Sequence, residues 1–247
     1  MSTSVPNITI HWLESSRAQR IVWLLEELGL DYKIKLYKRN DHKRAPDELK
    51  EIHPFGKSPL VELDYGAGNT KILAESGHIV NYLIKHFDHD GKFKPANEDD
   101  DEQIDYYIQM SEGSLQPPLT LLTIMEVGDS KAPFMVRSVV QKYNTQVRET
   151  FNFPEVVRIL DKLEKDISAA GGSYFVGGKL SAADIMLVYP VAQICFNSKR
   201  CASAVDKKKY PNLVKWSENV LNSATFKKSV QKVEEQAKGK YDILSSK

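Results

Sequence analysis

Ile10-His11-Trp12-Leu13-Glu14-Ser15-Ser16-Arg17-Ala18-Gln19-Arg20 passes from a strand into a helix, and its two flanks decide the fold. Upstream, Ile8, Ile10 and Trp12 share one face of a short alternating run, the pattern of a half-buried strand. Downstream, Ile21, Leu24, Leu25 and Leu28 recur at helical spacing until Gly29 stops the helix. Tyr32, Ile34 and Leu36 then alternate with lysines and predict a second strand. Such a β-α-β opening argues for a parallel pair, because parallel neighbours need a crossover between them.

The pattern continues in short units. Ala45 to Ile52 predicts a helix ended by His53-Pro54, since the residue before a proline is pushed out of helical geometry. Leu60, Val61 and Leu63 form one strand and Lys71 to Leu73 another, joined by a hairpin loop with Gly66, Gly68 and Asn69. Ile79, Val80, Leu83 and Phe87 supply the apolar face of a closing helix. Residues 1–90 therefore read as a small α/β unit of order β-α-β-α-β-β-α. His89, Asp90, Gly91, Pro95 and Asn97 mark a linker, taken as 91–98. From 99 to 247 helical periodicity dominates, broken by Pro117-Pro118, Pro133, Pro154, Gly171-Gly172, Gly177-Gly178 and Pro211. The second domain is expected to be all-helical.

Composition narrows the function classes. At 247 residues, 41% apolar and 27% charged, the chain is long enough for a substantial core in one or two domains. A net charge of +1 provides no global field selecting nucleic acid or an anionic membrane. Lys207 to Lys209, Lys227-Lys228 and the acidic run Glu98 to Glu102 read as solvated turns or helix ends. Cys195 and Cys201 offer no disulfide framework, so a reducing compartment is expected. No secretory signal is visible at the N-terminus. The longest apolar run, Ile185 to Phe196, contains Pro190 and Gln193 and falls far short of the ~20 residues that span a bilayer.

A hydroxyl where a strand meets a helix sits beside the helix's first N–H groups, where partial positive charge stabilises an anion. Ser15 or Ser16 also fits a plain N-cap, and the segment alone leaves both readings open.

The order of domains together with this motif resembles the soluble glutathione S-transferases, over nearly the whole chain. In their serine-dependent classes a serine precedes a short run ending in arginine at the start of the first helix. Counting back from Arg20, Ser16 occupies that place and Arg17 follows it. Ser16-Arg17-Ala18-Gln19-Arg20, followed by Trp23-Leu24-Leu25-Glu26-Glu27-Leu28, is similar to fungal and bacterial members. The resemblance implies a thioredoxin-like N-terminal domain with a mixed sheet, an all-α C-terminal helical bundle carrying the electrophile site, a homodimer and a cytoplasmic enzyme. It implies conjugation of glutathione, a co-substrate, to hydrophobic electrophiles, with no metal or other cofactor. Ser16 would stabilise the thiolate, Arg17 would add positive potential or pair with the protein surface, and Ser15 is the residue most easily confused with Ser16. Tyrosine-dependent classes carry a tyrosine near the end of the first strand, whereas the first tyrosine here is Tyr32. Thiol-exchange classes need a cysteine near position 16, and none precedes Cys195.

Two further segments follow in family order. His53-Pro54-Phe55-Gly56-Lys57-Ser58-Pro59-Leu60 resembles the segment whose proline is cis. Ser58 would meet the cysteinyl part of glutathione through its backbone, and Lys57 would reach the glycyl carboxylate. An ordinary turn with a surface lysine fits the same residues. Ala74-Glu75-Ser76-Gly77 lies at a strand–helix junction: Ser76 and nearby N–H groups suit the γ-glutamyl carboxylate, and Glu75 its ammonium. Arg44, or its neighbour His42, occupies a loop where several classes carry a base near the glycyl carboxylate; either also fits plain surface.

In the helical domain, Ser181 and Asp184 form a capping box after Phe175-Val176-Gly177, as in the buried core helix of the family. Their role is folding, worth ~0.5–2 kcal/mol. Tyr107 fits either the electrophile cleft or a core or interface position. Two rival readings remain: glutathione-dependent reduction of organic hydroperoxides, and a non-enzymatic module such as elongation-factor subunits or a fungal nitrogen regulator. Those modules carry an extra domain or a polar tail, whereas this chain starts within ten residues of its first strand.

Overall fold

The computed structural model describes residues 6–201 and 204–241; the outer ends of both expected domains, 1–5 and 242–247, lie outside the described residues. Strand β1 (Asn7–Leu13) runs inside a four-stranded sheet of order β2-β1-β3-β4. It pairs in parallel with β2 (Tyr32–Tyr37), from Ile8 opposite Tyr32 to Leu13 opposite Tyr37. On its other side it pairs antiparallel with β3 (Leu60–Asp64), which pairs antiparallel with β4 (Thr70–Leu73). The sheet is mixed, and the crossover expected between the first two strands is helix α1 (Gln19–Glu27). Ile8, Ile10 and Trp12 are buried on one face, while His11 and Leu13 are buried on the other. Helix α1 is buried all round, from Gln19 to Glu26, and each fully buried Ile, Val or Leu among its side chains contributes about 1.5–3 kcal/mol. Gly29, at φ 64°, takes the left-handed conformation that ends the helix.

Helix α2 (Glu48–Ile52) is shorter than the periodicity of 45–52 suggests. Pro46 keeps Ala45 out of helical geometry, and the chain between it and α2 makes only turn-type bonds, Leu49 N to Pro46 O and Lys50 N to Asp47 O. Helix α3 (Ser76–Phe87) buries Ile79, Val80, Leu83 and Phe87, the four residues that predict it.

Beyond α3 the described residues form helices and turns: α4 (Glu98–Met110), α5 (Gln116–Lys131), α6 (Arg137–Val147), α7 (Phe153–Ala169), α8 (Ala182–Leu187), α9 (Pro211–Asn222) and α10 (Ala224–Ala237). Pro117-Pro118 and Pro154 do not break the chain into separate helices. A π-helical turn, Ser111–Leu115, joins α4 to α5, and another, Arg148–Asn152, joins α6 to α7. Each proline sits just after such a turn, at the start of the next α segment, where a missing N–H is tolerated. A third π-helical stretch, Val188–Phe196, carries Pro190 and is buried throughout. Cys195 and Cys201 are both free and buried. The Cys195 thiol is pushed up by its hydrogen bond with Cys201 and by burial.

The chain forms two compact units, and the first gathers the described part of residues 1–94 together with that of 220–246. Helix α10, grouped with the helical domain by its periodicity, packs instead on α1 and β2. Phe226 meets Trp23 edge to face at 5.5 Å, and Gln19 Nε2 donates to Ser229 Oγ at 3.0 Å. Lys228 and Lys232 lie 2.7 and 2.5 Å from the Glu26 carboxylate, which also accepts from the Tyr32 hydroxyl at 2.6 Å. Thr225 and Trp23 both donate to Glu27. In the second unit Asp184 is fully buried and accepts from Ser181 N at 2.9 Å, Phe175 N at 3.2 Å and Trp216 Nε1 at 2.9 Å. The expected capping box is present. Burial pushes the Asp184 carboxyl up to about 6 against these donors.

The cluster around Glu26 gives a pH signature. Burial alone would raise the Glu26 carboxyl, but hydrogen bonds from Lys228, Lys232 and Tyr32 outweigh it and hold the group below its ordinary 4.5. A folded-state value below the unfolded one contributes stability that is present above 4.5 and lost as pH falls through the folded value. Urea unfolding followed from pH 7 to pH 3 is expected to show a smaller acid loss in Glu26→Gln than in the wild type.

Candidate functional site

Between β1 and α1 the chain makes a tight turn. Glu14 N donates to Tyr37 O at 3.1 Å, extending the parallel ladder by one residue, and then Ser15 turns with φ 48°. A non-glycine residue held in the left-handed region costs about 1–2 kcal/mol, so its surroundings must hold it there. Ser16 follows, 4% exposed, and its Oγ accepts from Ala18 N at 3.2 Å. Helix α1 begins only at Gln19, and Ala18, the cap residue, makes no side-chain cap. Ser16 thus accepts from the N–H two residues on, as a capping serine does, and sits two residues before the cap residue of α1. Its oxygen takes up an N–H just ahead of the helix. Arg17 is half-buried in the same turn, as is Ser15.

Ser58 is tied to the strand that delivers this turn. Its Oγ donates to His11 O at 2.9 Å and accepts from Leu13 N at 3.2 Å. The side chain thus holds the 57–59 segment against β1. The Ser58-Pro59 bond is cis, as the sequence resemblance implies, and Pro59 is buried. Lys57 is exposed beside it. Gly56 precedes at φ 56°, and a Cβ there would lie 2.6 Å from Lys50 Cγ, so a side chain meets both backbone strain and a clash.

The third segment is anchored to α1. Ser76 opens α3 and is 4% exposed, and Arg20 Nη2 donates to its Oγ at 3.0 Å. Glu75, at φ 66°, is the second non-glycine left-handed residue at the site and is exposed. Hydrogen bonds from one stretch, residues 11–20, therefore bring together the Ser16, Ser58 and Ser76 segments. Arg44 is exposed in a loop closed by Asn40, whose N donates to Arg44 O at 2.9 Å and whose Oδ1 accepts from Arg44 N at 3.0 Å. His42 is exposed in the same loop, its N donating to Asn40 Oδ1 at 3.0 Å. Among the described residues no group of three or more His, Cys, Asp or Glu side chains could hold a metal.

Three supports of these segments have partners that the sequence does not name. Arg20, fully buried, supports Ser76 across 56 residues. Arg39 joins the turn to the Asn40 loop: its N donates to Glu14 Oε1 at 2.9 Å and its Nε to Glu14 O at 3.1 Å. Its Nη2 donates to Ser15 O at 3.1 Å and its Nη1 to Lys43 O at 2.9 Å. Beneath Ser58, His11 Nδ1 lies 2.8 Å from the Tyr37 hydroxyl and Nε2 lies 3.4 Å from Glu62. Burial lowers the His11 pKa, the Glu62 contact opposing it. In the helical unit, Tyr107 is a core residue: it is 3% exposed, meets the Phe175 ring at 5.2 Å with the planes tilted by 55°, and donates to Asp166 at 3.0 Å.

Comparison with known proteins finds relatives of this chain. Residues 8–85 match the family model described as glutathione S-transferase, N-terminal domain, and residues 129–232 match that of the C-terminal domain. The chain is 42% identical over 231 residues to glutathione S-transferase 1 of Saccharomyces cerevisiae, covering 93% of this chain and 96% of that one. A glutathione S-transferase structure from Actinobacillus pleuropneumoniae superposes with a TM-score of 0.69 at 28% identity, covering 92% and 93% of the two chains. A glutathione transferase from Phanerochaete chrysosporium, crystallised with oxidized glutathione, has the same fold, with a TM-score of 0.72 at 20% identity and coverage of 96% and 99%.

The two hydrogen bonds of Ser58 make its hydroxyl a structural anchor. Ser58→Ala is expected to cost about 1–2 kcal/mol in urea unfolding, because the His11 carbonyl and the Leu13 N–H lose their partner together.

Proposed function

This chain belongs to the glutathione S-transferase family, and from that membership we propose that it conjugates glutathione to hydrophobic electrophiles, releasing a thioether. The observation that carries the mechanism is Ser16: a buried hydroxyl, its oxygen engaged by Ala18 N–H, its proton left to donate just before α1. A cysteine-type thiol has a pKa of ~8.5, so only a few per cent is thiolate at pH 7. Each unit of depression takes about 1.4 kcal/mol. One charge-assisted hydrogen bond supplies ~1.5–3 kcal/mol and the helix terminus adds a fraction, enough for one to two units. Arg17, half-buried beside the serine, adds positive potential. The reaction then proceeds by proximity of thiolate and electrophile, without a covalent enzyme intermediate.

In this reading Lys57 and Arg44 meet the glycyl carboxylate, and the exposure of both side chains supports it. The backbone of Ser58 meets the cysteinyl part, which is consistent with its hydroxyl being occupied by His11 and Leu13. Ser76, held by Arg20, receives the γ-glutamyl carboxylate, and exposed Glu75 receives the ammonium. A homodimer is part of the proposal. Ile124, Phe134, Met135, Val139 and Tyr143, all between residues 124 and 143, are 60–90% exposed, apolar surface that a second copy would cover. The free thiols Cys195 and Cys201 support a reducing, cytoplasmic location. Separately, no described helix is long and apolar enough to cross a membrane.

Ser16→Ala is expected to raise the pKa of bound glutathione by about one to two units while binding persists. Ultraviolet absorbance of the thiolate against pH measures it, and an unchanged titration would move the role to Ser15 or Arg17. Glu75→Ala is expected to weaken glutathione binding about tenfold or more, the loss of one charge-assisted contact. Calorimetry returning the wild-type affinity would remove Glu75 from the site.

A further inference from the structure

Arg39 follows β2 by two residues and is half-buried. Its side chain reaches backbone carbonyls in two loops that sequence separates. Nε donates to Glu14 O and Nη2 to Ser15 O, the carbonyls of the two residues before Ser16. Nη1 donates to Lys43 O, the carbonyl before Arg44. The Arg39 N–H adds a fourth bond to Glu14 Oε1. Successive carbonyls of a turn held by one planar fork cannot rotate independently, because the donor directions of a guanidinium are fixed. One of them belongs to Ser15, whose φ of 48° is a conformation that a free chain rarely adopts. The Ser15 carbonyl lies in the peptide plane that leads into Ser16, so its direction sets where the Ser16 side chain starts.

We propose that Arg39 is a positioning residue for thiol activation: its guanidinium locks the Glu14–Ser15 turn so that the Ser16 hydroxyl is aimed before glutathione arrives, and ties that turn to the Arg44 loop. It touches no substrate. Its work is to remove the reorganisation that a mobile turn would require when the thiolate forms. This rests on the reading of Ser16 as the thiolate's donor. The role differs from that of Arg17, which acts through charge. Arg39 acts through the shape of its fork, so a lysine that keeps the charge does not replace it.

The test uses the full-length protein with glutathione and compares Arg39→Ala, Arg39→Lys and Ser16→Ala. Thiolate absorbance against pH gives the pKa of bound glutathione, and urea midpoints report the fold. Both Arg39 variants are expected to raise that pKa by about half to one unit, leaving roughly three- to tenfold less thiolate below it. Arg39→Lys should do no better than Arg39→Ala. A folded Arg39→Lys with the wild-type titration overturns the inference, since charge alone would then suffice. Altered urea midpoints with unmoved titrations overturn it too, reducing Arg39 to a structural brace. If Ser16→Ala moves the titration and the Arg39 variants do not, this inference fails alone. If Ser16→Ala leaves it unmoved, the underlying reading of Ser16 fails.

Discussion

A hydroxyl stabilises an anion efficiently only when it is aimed in advance, because turning it at the moment of need costs much of what the bond returns. In the mechanism proposed for this protein, that aim depends on where the chain leaves β1. The strand is held on both edges by the parallel ladder to β2 and the antiparallel ladder to β3, so its end is fixed in space. The turn that follows takes Ser15 through a conformation that costs free energy and lands Ser16 beside the Ala18 N–H. The same stretch holds the other two segments, through Ser58 on β1 and Arg20 to Ser76. The three serines divide the labour. Ser58 uses its side chain to hold the scaffold, Ser76 is held by it, and Ser16 accepts a single N–H in the turn, where the proposed mechanism has it donate.

Much of the first unit was legible because its elements obey simple periods. Alternation in β1 and β2 and helical spacing in α1 and α3 reappear as buried faces residue by residue. The cis Ser58-Pro59 bond and the Ser181–Asp184 capping box are local, so short motifs suffice to anticipate them. The supports of the site were not legible. Arg20 meets Ser76 across 56 positions and Arg39 meets Ser15 across 24, and a polar residue in a sequence says nothing about which distant carbonyl it will find. The prolines misled for a related reason. A proline signals a break when only regular α-helix is considered, but one π-helical turn absorbs the register and lets the axis continue. The amphipathic pattern of α10 announces a helix with a buried face but does not name the surface that it covers.

Both units bury charged or polar groups at their joints, and they do so differently. Glu26 is met by two ammonium groups and a phenol and stays ionised below its usual range. Asp184 has only neutral donors around it, and burial wins, pushing it up. Burial is the largest cause in each case; at Glu26 the hydrogen bonds from Lys228, Lys232 and Tyr32 outweigh it, and at Asp184 those from Trp216, Ser181 and Phe175 do not.

The return of α10 to α1 has a consequence for how the molecule is made. Residues 224–237 cover Trp23, Gln19 and Glu26, which belong to an element completed some two hundred positions earlier. As the polypeptide emerges from the ribosome, the sheet and its first helices are present long before the piece that shields them. They must wait with an indole and a carboxylate uncovered until residues 224–237 have followed. The first unit is thus closed last, and a gene fragment encoding only its sheet would yield a product with that flank left open.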